Sequence, residues 1–252
     1  MIQALEEMIT LLYPRRCPLC QDILTDKAAL ICMKCRTKAV PIRGPKCKTC
    51  GKPVASLETE YCPDCQEKTH FFTSGRAVFL YEEEIRKSVY QFKFHNKREY
   101  AGFYVSEMER VCGDEIRTWN PDVIIPIPMY KRKKRQRGYN QAEILAKCLG
   151  KRLQIPVDTK SLVRVQKTIP QKSLGRKERE INLKNAFKTS TNALELKKVL
   201  LVDDIYTTGV TMDEAAKVLW MAGAEEVHFS CALYRKTGLL RDTFQKPDFM
   251  LY

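Results

Sequence analysis

The chain has 252 residues, enough for one large or two modest domains, each with a proper hydrophobic core. A formal net charge of +14 implies a surface that attracts anions, nucleic acid first and anionic membrane surface second. The chain lacks both a run of about 18 apolar residues and a secretory-type start, so no membrane span is expected, and the protein is expected to be cytosolic, with peripheral attachment at the inner face of the membrane left open.

Residues Met1 to Tyr13 carry Ile2, Leu5, Met8, Ile9 and Leu12, one apolar stripe on a short helix that ends before Pro14. With Glu6 and Glu7 on it, this helix suits packing on protein better than an anionic membrane. Cysteine pairs follow: Cys17 and Cys20, Cys32 and Cys35, Cys47 and Cys50, Cys62 and Cys65, the first of each pair recurring every fifteen residues. A Cys-x-x-Cys knuckle turns two thiolates toward one metal, and two knuckles close a tetrahedral site, so eight thiolates predict two structural zinc ions. Sequential pairing gives a double zinc ribbon; interleaved pairing and an iron–sulfur cluster stay open at this point. Without metal the segment has too few apolar residues to fold itself.

Composition shifts after His70, which divides the chain into an N-terminal helix at 1–14, a double zinc ribbon at 15–70 and a larger domain at 71–252. Phe71 to Tyr81 alternates like a strand, and Glu82 to Phe94 and Tyr100 to Val111 read as helices. His95 has no base or nucleophile beside it and reads as a surface histidine, while Cys112, Cys148 and Cys231 read as ordinary thiols. Pro121 to Tyr130 is a strand followed by a proline-stiffened loop. It leads into Lys131, Arg132, Lys133, Lys134, Arg135, Gln136 and Arg137, six cations in seven residues. Such a run releases counterions on a phosphate backbone, with Tyr139 available to stack on a base; the alternative is a solvated loop that closes over a diphosphate. Gln141 to Leu153 reads as a helix, and the charge-dense Leu162 to Phe187 as a mobile lid.

Val199 to Val202 is a β-branched apolar run suited to a strand buried on both faces of a parallel sheet, and the sheet is expected to end in Asp203 and Asp204. Thr207, Thr208, Gly209 and Thr211 then form a phosphate cradle before the amphipathic run Met212 to Met221. Acids on one side and a phosphate loop on the other suit a phosphorylated sugar, whose hydroxyls the carboxylates accept. Val227 to Ala232 supplies a last strand, with a closing strand at Phe249 to Tyr252.

The segment Val199 to Thr211 resembles the motif for 5-phosphoribosyl-1-diphosphate (PRPP) in type I phosphoribosyltransferases. That resemblance implies an α/β fold, a mostly parallel sheet flanked by helices, with Asp203 and Asp204 on the ribose hydroxyls and Thr207 to Thr211 around the 5-phosphate. It further implies a diphosphate-facing loop at Pro126, Ile127, Pro128 and Lys131, and Mg²⁺ bound with PRPP. The zinc module, Arg137-Gly138-Tyr139-Asn140-Gln141, the Gln171 to Phe187 stretch with Arg179-Glu180-Ile181-Asn182-Leu183-Lys184-Asn185-Ala186-Phe187, and the PRPP-type motif, in that order, are similar to the ComF family. By that resemblance the chain is expected to be a competence factor that aids uptake of single-stranded DNA, with a helicase-like motor or a recombination mediator as partner. A second function stays in competition: a transferase that moves ribose 5-phosphate from PRPP to an acceptor nitrogen, through positioning and charge stabilisation.

Overall fold

The computed structural model describes residues 14–26, 28–165, 186–190 and 197–236. The candidate N-terminal helix, residues 166–185 of the expected lid and the candidate strand at Phe249 to Tyr252 lie outside them. Among the described residues, four parallel strands form the central sheet in the order β1 (Ser74–Leu80), β6 (Glu226–Tyr234), β5 (Lys198–Tyr206), β2 (Val123–Pro126). The intervening elements are the helices α3 (Glu83–Phe94), α4 (Ala101–Trp119), α5 (Lys131–Arg137), α6 (Gln141–Leu153) and α7 (Val210–Met221), and an antiparallel pair β3 (Leu162–Arg164) and β4 (Phe187–Thr189) at the two ends of the lid segment. The short α1 (Met33–Arg36) and α2 (Pro63–Glu67) lie in the cysteine-rich module.

Strand β5 is the centre of this arrangement. Val199 to Val202 are fully buried, as expected of a strand with neighbours on both edges and layers on both faces. Alternate side chains feed two cores. Val199 and Leu201 pack with Ile125, Phe229, Ala215, Ala216 and Leu219 on the α7 side, while Leu200 and Val202 pack with Ile124, Val105, Met108 and Leu145 beneath α3, α4 and α6. Helix α4 runs two turns past its expected end because Val105, Met108, Cys112 and Ile116 continue one buried stripe. Burying each such Val, Ile or Leu contributes about 1.5–3 kcal/mol, which overrides weak local propensity.

The cysteine module is a repeat of thirty residues rather than fifteen. The bridge Arg16 to Ile23 recurs as Lys46 to Pro53, and the left-handed Gln21 (φ 69°) recurs as Gly51 (φ 70°). Each half pairs a turn knuckle with a knuckle that opens a short helix, Cys32 before α1 and Cys62 before α2. The first ribbon lends Cys17, Leu19, Ile31 and Cys35 to the core under α3 and α4; the second lends Cys47, Cys50 and Cys62 to the α7 side. The segment between them and the first knuckle of the second ribbon run along the outer edge of β1, with Ile42 N–H donating to Val78 carbonyl (2.7 Å) and Gly75 N–H to Thr49 carbonyl (2.7 Å). Among the described residues, no helix is long and apolar enough to cross a membrane.

Candidate phosphosugar site and zinc centres

At Val202 the ladder with β2 stops, while the ladder with β6 continues to Tyr206 opposite Tyr234. The sheet therefore does not end at the acids as expected; it loses one neighbour there, and Asp203 and Asp204 stand in the opening. Burial, and next the charge of Asp204, push the Asp203 carboxyl up to about 7, although the Asp204 N–H (2.8 Å to Oδ1), Lys93 and Arg164 favour its ionised form. Lys93, in the last turn of α3, places Nζ 2.6 Å from Asp204 Oδ2 with both side chains largely enclosed.

The turn after β5 carries Thr207 and Thr208, half-buried, into Gly209. Gly209 has φ +83° and caps α7, and a Cβ there would lie 2.5 Å from the Tyr206 hydroxyl, so both conformation and space demand glycine. Its carbonyl accepts the Asp213 N–H (2.8 Å), which starts the helix. Asp203, Thr207, Gly209 and Thr211 line one small cleft with Tyr206 and Met212. Hydroxyls, the N-terminal end of a helix and a close backbone approach make that cleft suited to an anion.

Across the opening, Ile127 N–H donates to Val202 carbonyl (2.9 Å), and Asn140 Nδ2 donates to Ile127 carbonyl (2.9 Å). Ile127 is buried and Pro126 belongs to β2, so this loop offers the site backbone, with Pro128 half-buried and Lys131 at the first position of α5.

The basic run is a helix, not a loop: α5 ends at Gly138, φ +84°, whose N–H closes on Lys134 carbonyl (2.8 Å). Helical spacing sorts its cations. Arg137 is half-buried and Lys133, one turn before it, is exposed; partial loss of hydration, then the charges of Arg137, Lys93 and Arg164, hold the Lys133 ammonium below its ordinary value, with Asp204 opposing. Arg137 lies over the Phe94 ring (4.7 Å) and donates to Gln141 Oε1 (2.8 Å); burial lowers it and Asp204 opposes that shift. Lys134 pairs with Glu143 (2.6 Å). Lys131, Arg132 and Arg135 are exposed.

Tyr139 does not present a stacking face. It is 5% exposed, its hydroxyl donates to Phe92 carbonyl, and the Arg98 guanidinium covers its ring at 4.6 Å. The Tyr139-Asn140-Gln141 triplet braces the site instead, since Gln141 Nε2 also reaches the Phe92 carbonyl (3.4 Å), just before Lys93. Lys93 and Arg164 are the site residues that sequence reasoning missed. Neither sits in a motif, and only the fold brings them to the acids.

In each ribbon the four sulfurs lie within 4.8 Å of one another, and the pairing is sequential, Cys17, Cys20, Cys32 and Cys35 in one and Cys47, Cys50, Cys62 and Cys65 in the other. Cys20 and Cys32 Sγ are 3.7 Å apart, and Cys50 and Cys62 Sγ 3.6 Å. A tetrahedron with Zn–S bonds of about 2.3 Å has edges of about 3.8 Å, so the donor geometry fits zinc. Burial resists ionisation of Cys17, but N–H groups of Cys20, Cys32 and Leu19 bring it to about 7; burial holds Cys20 up at about 11. In the second cluster hydrogen bonds from Cys50 and Cys65 drive Cys47 far below the thiol range while Cys50 rises to about 12. A dication lets all four thiols ionise together. Cys112 and Cys231 are buried and Cys148 is half-buried, apart from both clusters, and His95 is exposed at the end of α3.

Residues 8–66 match the family model of the double zinc ribbon domain, and residues 105–247 that of the phosphoribosyl transferase domain. The chain is 31% identical to Competence protein F of Haemophilus influenzae, over 84% of this chain and 93% of that protein. It is 29% identical to Competence protein ComFC of Bacillus subtilis, over 77% and 79%, and 32% identical to DNA utilization protein YhgH of Salmonella typhimurium, over 86% and 96%. A phosphoribosyltransferase sheet carrying two cysteine-built ribbons, shared along most of its length with these proteins, places the chain in the ComF family.

Proposed function

We propose that the protein is a factor of DNA uptake and utilisation whose PRPP-type pocket binds a phosphorylated ribose and whose basic helix meets single-stranded DNA. The relatives' names supply the biological setting. The observation that carries the pocket is the convergence of Asp203 and Asp204, the Gly209 loop and four cations, Lys93, Lys133, Arg137 and Arg164, which three separate elements, α3, α5 and β3, supply. Two carboxylates match the ribose hydroxyls, the loop matches a terminal phosphate, and the cations match a diphosphate, whose three features PRPP unites. The recessed oxygens of Asp203 and Asp204 are hard donors that fit Mg²⁺, and the bound ion supplies charge neutralisation to the diphosphate. Lys93 neutralises Asp204 in the meantime and becomes a diphosphate donor when ribose hydroxyls engage the acid. The outward cations Lys131, Arg132 and Arg135 suit a sugar–phosphate backbone, and Tyr139 contributes packing there rather than stacking.

Calorimetric titration of PRPP with Mg²⁺ into the zinc-loaded wild type and into the Asp203→Asn/Asp204→Asn double variant tests the pocket. Saturable binding that disappears in the variant is expected; a wild type that takes up no PRPP overturns the reading.

A further inference from the structure

The phosphate loop, Thr207 to Met212, is held at both ends by residues of the second zinc ribbon. At its entry stands Tyr206, the last residue of β5, stacked on Phe229 with ring centroids 4.7 Å apart and 6° between planes. Its hydroxyl fills the space beneath Gly209. Lys52, two residues past Cys50 and 5% exposed, places Nζ 5.9 Å from the Tyr206 ring and 5.7 Å from the Tyr234 ring, and its charge is met by Asp64, between Cys62 and Cys65. A buried lysine with a carboxylate partner and aromatic faces is costly to place and specific in geometry.

At the exit of the loop stands Asp213, in the first turn of α7 and 5% exposed. Its carboxylate accepts Phe71 N–H (2.7 Å), faces His70 Nδ1 (3.3 Å) and pairs with Lys68 Nζ (3.0 Å), all from the strap that leaves Cys65. His70 stacks on Phe72 (4.4 Å), and Phe72 meets Phe229 edge-on (4.9 Å), which joins the exit clamp to the ring under Tyr206. Gly51, at φ +70°, allows the ribbon to seat on β1: a Cβ there would lie 2.5 Å from Gly75 carbonyl oxygen. The first ribbon packs elsewhere, under α3 and α4, with Tyr100 donating to Gln21 Oε1 (2.7 Å).

We infer that the second zinc ribbon positions the phosphate loop, with Lys52, Tyr206 and Asp213 as positioning residues, whereas the first ribbon leaves the loop alone. The identity of the loop's ligand rests on the phosphosugar reading; the mechanical link does not. Linkage makes the effect reciprocal: a ligand seated in the loop tightens zinc in the second ribbon and not in the first.

The test uses the full, zinc-loaded chain as wild type, Lys52→Met, Lys52→Arg, Cys62→Ser and Cys32→Ser. Amide hydrogen exchange over Thr207 to Met212 is measured in each, together with PRPP/Mg²⁺ titration and zinc release to a chromogenic chelator with and without PRPP. Expected are faster loop exchange and about tenfold weaker PRPP binding in Lys52→Met and Cys62→Ser, partial rescue in Lys52→Arg, and wild-type loop exchange in Cys32→Ser. PRPP is expected to slow release of one of the wild type's two zincs, a release that Cys32→Ser retains and Lys52→Met no longer protects. Lys52→Met keeps all eight thiolates, so it decides the matter if Cys62→Ser fails to fold. Unchanged loop exchange in Lys52→Met, or equal damage in Cys32→Ser, overturns the inference. A wild type without PRPP binding removes the ligand assignment alone, and the exchange comparison still decides the link.

Discussion

Replacing Lys93 by Met isolates the electrostatics of the acid pair. At 2.6 Å and an effective dielectric constant of about 20, the gross attraction between Lys93 and Asp204 is about 6 kcal/mol. Desolvation of both groups and their residual exposure cancel much of it, so truncating the lysine is expected to cost about 1–3 kcal/mol. The pH dependence identifies the cause. Asp203 ionises at about 7 in the fold against about 4 in the unfolded chain, so the folded protein retains a proton that the unfolded chain has shed between those values. Its contribution to stability is full below pH 4 and declines as pH rises through 7, by at most about 4 kcal/mol. Losing Lys93 removes a cation that favours ionised Asp203, so the decline extends to higher pH. Urea unfolding at intervals from pH 5 to pH 9 reads both effects. The variant should lose most at pH 8, where Asp203 carries its charge, and least at pH 5. A deficit that is the same at every pH, or none at pH 8, refutes the argument.

Gly209→Ala must tolerate both the left-handed backbone and the Tyr206 hydroxyl, so it is expected to lose about 2–3 kcal/mol in urea unfolding and most PRPP affinity by calorimetry. PRPP affinity in the wild type should rise from pH 6 to pH 8 as Asp203 sheds its proton; calorimetry showing a fall over that range contradicts the hydroxyl-accepting role. Tyr139→Phe leaves the Phe92 carbonyl with only the longer Gln141 donor and is expected to cost about 1 kcal/mol by urea unfolding, with single-strand binding unchanged by fluorescence anisotropy. Arg132→Ala with Arg135→Ala should flatten the dependence of log K on log salt by about 1.4 for a single-stranded oligonucleotide, and an unchanged slope removes α5 from the nucleic-acid surface.

The strand Val199 to Val202, the acids after it and the eight thiolates were legible because each signal is local: an unbroken apolar run, a glycine before an amphipathic stretch, a fixed two-residue spacing. What was illegible depends on distance along the chain. Lys93 meets Asp204, and the charge of Arg164 is felt at Asp203, only because residues far apart in the chain are brought together by the fold. Tyr139 was misread for the same reason: beside six cations it suggests nucleic acid, but its hydroxyl partner is Phe92, in another helix. The thirty-residue repeat was hidden because cysteine positions alone do not distinguish a turn knuckle from a helical one.

The segment between the ribbons, lying along the outer side of β1, has a bearing on how the protein fails. A bare outer strand of a parallel sheet offers a row of amide and carbonyl groups to any other chain with a strand to add. Here Ile42, between the two thiolate clusters, and Thr49, inside the second, occupy that row. Stripping the metal therefore unmasks a template for intermolecular strand addition while the apolar sheet behind it is still assembled. The demetallated chain should consequently precipitate in a concentration-dependent manner before its helices melt, and monomeric recovery should depend on returning zinc ahead of any removal of denaturant.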